Sequence, residues 1–315
     1  MSVPWVGGAY EGRSKKINAQ QSVNLFPVVD QNDAKVIVAM YNTPGTIEFS
    51  DTGTSAAVRG MHIQGDYLYA VVGAVVYEID SAGDATSKGS ITTSTGHVGM
   101  ASNGAQLLIV DGSVNGHYIE DSTLTDIADA DYPQATDCVF FDGYFIVTVY
   151  NTGKIQVSQL YNAAVWDALD FATAEASPDD LVGIGTTRQN IWLFGGLTTE
   201  IYYNSGNPDF PFARVPGAII DMGCQSLTSV AEIEGVLYWL THKKTIVRGD
   251  GHGFKKISPP GIDYQISTYS TTNDATGYTY TLEGNTFYVI TFPTADVTWV
   301  HNITTNMWHQ WGTLA

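Results

Sequence analysis

The sequence predicts an all-β fold: a β-propeller of about six recognisable blades preceded by an N-terminal arm. Three observations carry that reading. A turn residue followed by a short apolar-aromatic strand recurs along the chain, starting at Gly65, Gly104, Gly143, Gln189, Gly235 and Gly284, so that successive copies lie 39, 39, 46, 46 and 49 residues apart. Regular spacing of this size, with several strands per unit, is the signature of a propeller rather than of an ordinary globular domain. The apolar runs are dominated by aromatic and β-branched residues, which suit a pleated, half-buried surface. Helical periodicity is scarce throughout; the best candidate is the short stretch Ser158 to Ala164.

In chain order, residues 1–54 stand outside the repeat. They contain two short apolar stretches, Leu25 to Val29 and Val36 to Met40, then a turn at Pro44-Gly45, then Thr46-Ile47-Glu48-Phe49, which alternates like an edge strand. This segment reads as an arm and a closing strand, available to complete a blade from the N-terminal side. Residues 55–315 read as the propeller, with repeats near 56–93, 94–133, 134–177, 178–217, 218–258 and 259–315. In the first repeat, Gly73 separates Tyr67–Val72 from Ala74–Ile79, a strand, a tight turn and a strand. Pro178-Asp179-Asp180 marks a loop. The repeated aromatics Tyr67, Tyr69, Trp192, Tyr238, Trp239, Phe287 and Tyr288 read as core within and between blades. The segment Trp308 to Ala315 has no polar taper and looks like a cut C-terminus.

Charge and chemistry exclude more than they assign. The chain has 315 residues, 32 acidic and 14 basic, for a formal charge of −18. Such a surface favours solubility and repels phosphate, which argues against a protein that wraps or reads DNA. A sharper reading is a surface past which DNA slides without sticking. Cys138 and Cys224 are far apart in sequence and read as buried free thiols. Nothing after Met1 resembles a signal peptide, and no apolar run approaches the ~20 residues of a membrane helix.

His62, His97, His117, His242, His252, His301 and His309 form no metal-ligand spacing and read as strand or loop residues. Asp126, Asp129, Asp131 and Asp137 read as one acidic, solvated loop, because their spacing does not match a calcium loop. Gly183-Ile184-Gly185 lacks the third glycine of a dinucleotide fingerprint. No nucleophile elbow, P-loop or Asp-box turn occurs. Asn302-Ile303-Thr304 matches a glycosylation sequon by chance. Asp167, Asp170, Asp179, Asp180 and Glu200 are abundant acids whose pairing for glycan cleavage only spatial separation decides. No catalytic, cofactor-binding or metal residue is assigned, and the residues that contact partners stay unidentified.

Four ordered stretches carry a specific likeness. They are Asn24-Leu25-Phe26-Pro27 with Tyr41 to Thr46; Trp166 to Glu175; Asp179 to Gly185 with Trp192 to Gly195, Thr198 to Gly206, Asp209 to Phe212 and Gly223-Cys224; and Glu283-Gly284 with Phe287 to Val289, Thr291 to Asp296, Thr298 to Val300 and Met307-Trp308-His309. Together they resemble the packaged-DNA stabilisation proteins of short-tailed bacteriophages, also called tail hub, plug or tail accessory proteins. The resemblance implies a virion tail protein without enzymatic activity or cofactor, assembled in the bacterial cytoplasm. It implies a ring of six copies below the portal-adaptor protein that closes the channel after packaging and anchors the tail needle or the fibre and spike proteins. Genomic DNA would pass without specific binding, and no membrane is involved. The family pattern continues past the Trp-His segment with at least one more blade, so the resemblance implies either a fragment or closure with fewer blades. The competing reading is a carbohydrate-binding or glycan-cleaving propeller for a host receptor.

Overall fold

The computed structural model describes residues 8–11, 19–29, 38–174, 177–207 and 210–312. Val36, Ile37, Glu175, Asp209 and Thr313 to Ala315 lie outside the described residues. The fold is an all-β, six-bladed propeller with an N-terminal arm. It divides into two compact units, Ile47–Asp221 and the pair of segments Met1–Thr46 and Met222–Ala315.

The arm holds two small antiparallel pairs, β1 (Tyr10–Glu11) with β2 (Ala19–Gln20) and β3 (Leu25–Val29) with β4 (Val38–Asn42). Four blades fill the unit Ile47–Asp221. The first is β5 (Val58–Gln64), β6 (Tyr67–Val72), β7 (Val75–Ile79) and β8 (Ala85–Ser90). The second is β9 (Gly99–Ser102), β10 (Gln106–Val110), β11 (His117–Glu120) and β12 (Thr123–Asp126). The third is β13 (Ala135–Phe141), β14 (Tyr144–Val149), β15 (Lys154–Gln159) and β16 (Asn162–Thr173). The fourth is β17 (Leu181–Thr186), β18 (Ile191–Gly195), β19 (Thr199–Asn204) and β20 (Phe212–Ile220). The other unit holds the fifth, β21 (Ala231–Ile233), β22 (Val236–Leu240), β23 (Ile246–Asp250) and β24 (Gly253–Lys256), and the sixth, β25 (Thr276–Leu282), β26 (Asn285–Phe292), β27 (Val297–Asn302) and β28 (Met307–Trp311). Each blade is a simple antiparallel meander in sequence order.

All six repeat anchors are the second strands of their blades. A second strand is paired on both edges and covered on both faces, so its residues are mostly apolar; β10 and β18 are buried at every position. The turn residue that opens several anchors also has a physical cause. Asp142-Gly143, Glu234-Gly235 and Glu283-Gly284 are two-residue hairpin turns in which both residues have positive φ, the geometry that matches strand twist and that favours glycine in second place. The cores lie between consecutive blades: Val71, Val98 and Leu107 pack together in one, Phe141, Ile184 and Leu193 in another, and Tyr238, Tyr288 and Trp299 in a third. Six of the seven aromatics read as core are buried; Tyr67, at the exposed start of β6, is 40% exposed.

Three further expectations are corrected. Thr46 to Phe49 is not a strand: Ile47 is 94% exposed and no ladder partner lies beside the segment. Alternation supplies two faces but not an edge to pair with, and here the chain runs on irregularly until the Phe49 carbonyl meets Gly83. The N-terminal contribution to the last blade comes instead from Ser22 to Asn24, where Val23 bridges Gln310 in parallel. Gln310 N–H donates to the Ser22 carbonyl and Asn24 N–H to the Gln310 carbonyl. Ser158 to Ala164 is not helical but the end of β15, a turn at Leu160-Tyr161 and the start of β16; Tyr161 has φ +55° and its N–H donates to the Gly143 carbonyl. Among the described residues the α-helix is α1 (Pro260–Thr268), with proline at its first position and Asp263 in its first turn, both favourable at a helix start. The predicted seam at 217 falls inside β20.

Candidate interaction surfaces

A protein without a catalytic motif must work through its surfaces, and the strand register determines what they carry. On β5 a register shift between Val58 and Gly60 resets the alternation. Arg59 turns inward, while Val58, Met61 and Ile63 are exposed. The remaining residues face the second blade: a Cβ on Gly60 would lie 2.6 Å from the Val98 carbonyl oxygen, and Gln64 Nε2 donates to the Ala105 carbonyl at 2.9 Å. An exposed apolar row on a strand edge is the kind of surface that proteins keep for partners. Sequence reasoning missed it; the signal was the break in alternation at Arg59-Gly60.

Arg59 itself holds the first two blades together. Its guanidinium donates to the carbonyls of Gly73, Thr93, Thr95 and Gly96 and to Thr93 Oγ1, all at 2.6–2.8 Å. Asp111 accepts from Thr93 N–H and Oγ1. Burial raises the Asp111 pKa, but the bonds from Ser113 and Thr93 outweigh it and hold the carboxyl below its ordinary value. Asp137 accepts the Ile184 N–H at 3.0 Å and so joins the third blade to the fourth.

The arm makes the second surface. Phe26 is fully buried, with its ring 5.1 Å from Phe287 and 6.0 Å from His309. Burial of this one side chain stabilises the docked arm by ~2–3 kcal/mol. Asn24 Nδ2 donates to the Gly312 carbonyl and its Oδ1 accepts the Gly312 N–H. Beside this seam lies a cleft of about 710 Å³ whose walls include Asn24, Thr43, Pro44, Asp296 and Trp311. The Asn24 and Tyr41–Thr46 stretches and the segment around Asp296, separate in sequence, therefore meet in one place.

The other sequence candidates are structural. Asp126 ends β12 and accepts from His117 Nδ1 at 2.8 Å, while Asp137 is buried in β13, so the four aspartates do not share one loop. Asp179 accepts the Leu197 and Thr198 N–H groups. Burial raises its pKa, and the bonds from Leu197, Ser177 and Thr198 bring it below the ordinary value. Glu200 is buried beside Arg214 at 3.5 Å. Asp167 caps its own turn through the Leu169 N–H. Gly183 to Gly185 lies within β17 and no helix follows it. Cys138 and Cys224 are buried thiols, and burial together with Asp137 pushes the Cys138 thiol well up, away from reactivity. His242 Nδ1 accepts the Gly223 N–H. Among the described residues no group of three or more His, Cys, Asp or Glu side chains is arranged to hold a metal, and no helix is long and apolar enough to cross a membrane.

Two solved structures share the fold at low identity. The computationally designed protein Ika8 matches with a TM-score of 0.52 and 12% identity over 82% of this chain and 74% of that one. BamB from Moraxella catarrhalis matches with a TM-score of 0.52 and 10% identity over 84% of this chain and 73% of that one. These likenesses speak for the fold alone, and no curated protein matches the sequence. The family described as phage stabilisation, Bacteriophage P22 Gp10, beta-propeller, matches residues 1–315. The chain belongs to this family, and it is a structural, non-enzymatic tail-hub protein of a bacteriophage that stabilises packaged DNA.

Proposed function

We propose that the protein forms a ring of six copies below the portal-adaptor protein, where it closes the DNA channel after packaging and anchors the tail needle or the fibre and spike proteins. Assembly takes place in the host cytoplasm. Residues 1–54 serve as the arm and 55–315 as the propeller body. The observation that carries this reading is the family match along the whole 315-residue chain. Two features support it. The exposed row Val58, Met61 and Ile63 offers a protein contact, and the charge of −18 disfavours a hold on DNA. DNA therefore passes the assembled ring without specific binding; a basic channel-facing surface in that ring would contradict this part.

The test is DNA retention in particles made without the protein. Heads that package and then leak their genome are the expected result. Full, stable, tailed heads that fail only at adsorption would overturn the hub and favour a receptor role.

A further inference from the structure

Five of the chain's 14 lysines and arginines lie between Lys243 and Lys256, a stretch with a single acid, Asp250. On a chain of charge −18 such a cluster is a local inversion. The fold concentrates it further. Arg248 on β23, Lys255 and Lys256 on β24, and His301 on β27 line one pocket of about 340 Å³, with Tyr238, Ile257 and Ile303 among its walls.

The pocket holds polar groups that the protein leaves unused. The Arg248 guanidinium bonds the Tyr238 hydroxyl, but its Nε is buried and meets no acceptor among the described residues. His301 is 3% exposed and its Nδ1 likewise has no partner, while its Nε2 lies 3.1 Å from Asn306 Oδ1. A buried guanidinium N–H without an acceptor costs the desolvation of a charged donor, so such a group implies an acceptor from outside the fold. Two anionic neighbours are present: Asp263 pairs with Lys256 and also accepts from Ser258 Oγ, and Glu234 acts on the Tyr238 hydroxyl. Lys255 is exposed and forms no ion pair among the described residues.

We propose that this pocket binds a small phosphate-bearing anion. The arginine fork and two ammonium groups offer the donors that phosphate oxygens take up, three cations against the two carboxylates Asp263 and Glu234. The volume is at the lower end of the ~300–1,000 Å³ of small-ligand sites. It therefore fits a phosphate with a compact substituent. It does not suit a duplex, which needs a continuous basic track that this acidic chain lacks.

The test is calorimetric titration of the full chain at low salt with inorganic phosphate, with AMP and with a short DNA duplex. Saturable one-to-one binding of phosphate or AMP is expected, weakened about tenfold in Arg248→Gln and about threefold in Lys255→Gln. Lys255→Gln changes only an exposed side chain and keeps the test open if the Arg248 variant fails to fold. Absence of saturable binding to both small anions, or affinities unchanged in a folded Arg248→Gln protein, would overturn the site. Duplex binding stronger than AMP binding and lost with the same variants would overturn the small-anion assignment in favour of nucleic acid.

Discussion

The two compact units solve the same packing problem with different chemistry. In Ile47–Asp221 the seams between blades are tied by buried polar groups. Arg59 donates to four carbonyls and a hydroxyl, Asp137 reaches across to Ile184, and Glu78 accepts from Tyr69, Ser122 and Lys88; burial first, and then the bond to Glu78, pushes the Tyr69 hydroxyl up to about 12. In the unit of two blades and an arm, aromatic rings fill the seams. Tyr238 stacks on Tyr288 at 5.4 Å between the fifth and sixth blades, and Phe26 of the arm packs against Phe287 and His309. Polar ties are directional and fix geometry through many satisfied bonds. Aromatic seams gain chiefly from burial and from tilted or offset ring contacts.

The largest effect is expected where an aromatic seam is opened. Phe287→Ala removes the ring on which Phe26, Tyr280 and His309 converge and should cost ~3–5 kcal/mol in denaturant unfolding. It should also raise hydrogen exchange in both β3 and β26. The matching test of the polar seam is Arg59→Met, which strands four carbonyls and a hydroxyl at once and should cost ~3 kcal/mol. Equal tolerance of both variants would erase the distinction between the units.

The next effect is common to both units. First strands of neighbouring blades approach so closely that a Cβ on Gly60 or Gly277 would sit 2.6 Å from a carbonyl oxygen, of Val98 or Ser229 respectively. Gly277→Ala should therefore cost ~1–3 kcal/mol. Gly45→Ala, where an added Cβ meets nothing within 4 Å, should lie within ~0.5 kcal/mol of the parent.

Acid should separate the units. Burial, opposed by the bond to Asn306 and aided by a smaller contribution from Arg248, lowers His301 to about 4, and burial together with His301 lowers His309 to about 4, both from 6.5. Their folded pKa values are depressed, so the unfolded chain takes up protons first. Stability from this source is complete above pH 6.5 and is lost as pH falls from 6.5 towards 4. In the other unit burial lowers one histidine, His62, from 6.5, whereas Asp111 and Glu78 are depressed from 3.8 and 4.5, so the contribution of those two carboxylates persists until the pH falls below those values. Between pH 6.5 and 5 the aromatic unit should weaken first, with Trp239, Trp299, Trp308 and Trp311 as its fluorescent reporters. At neutral pH His309→Phe should change stability by no more than ~1.5 kcal/mol. This variant should flatten the acid limb, because neither nitrogen of His309 has a hydrogen-bond partner to lose among the described residues.

What was legible in the sequence follows from burial. Second strands announced themselves because both faces are covered, as in β14 and β22. Fourth strands such as β8 (Ala85–Ser90) and β12 (Thr123–Asp126) are short, polar and exposed, so nothing in their composition separates them from loops. The alternation at Thr46 to Phe49 misled because a two-faced pattern is local, whereas an edge partner is not. Helix α1 was hidden behind Pro259-Pro260-Gly261; its trace was the four-residue spacing of the buried Ile262 and Ile266. The interaction surfaces were least legible. Asn24 and Asp296, or Arg248 and His301, are brought together only by the closing of blades.

The clasp between Asn24 and Gly312 spans 288 positions of chain. At ribosomal speeds of ~5–20 residues per second, the arm emerges roughly 15–60 s before the strand against which it docks exists. Throughout that interval Phe26 has no pocket to enter. The sixth blade, once made, presents Phe287 and Val289 to water until the arm returns. Closure over so long a loop makes arm docking a late and slow folding event, and the nascent hub is most prone to cling to neighbouring chains in the moments before the clasp forms.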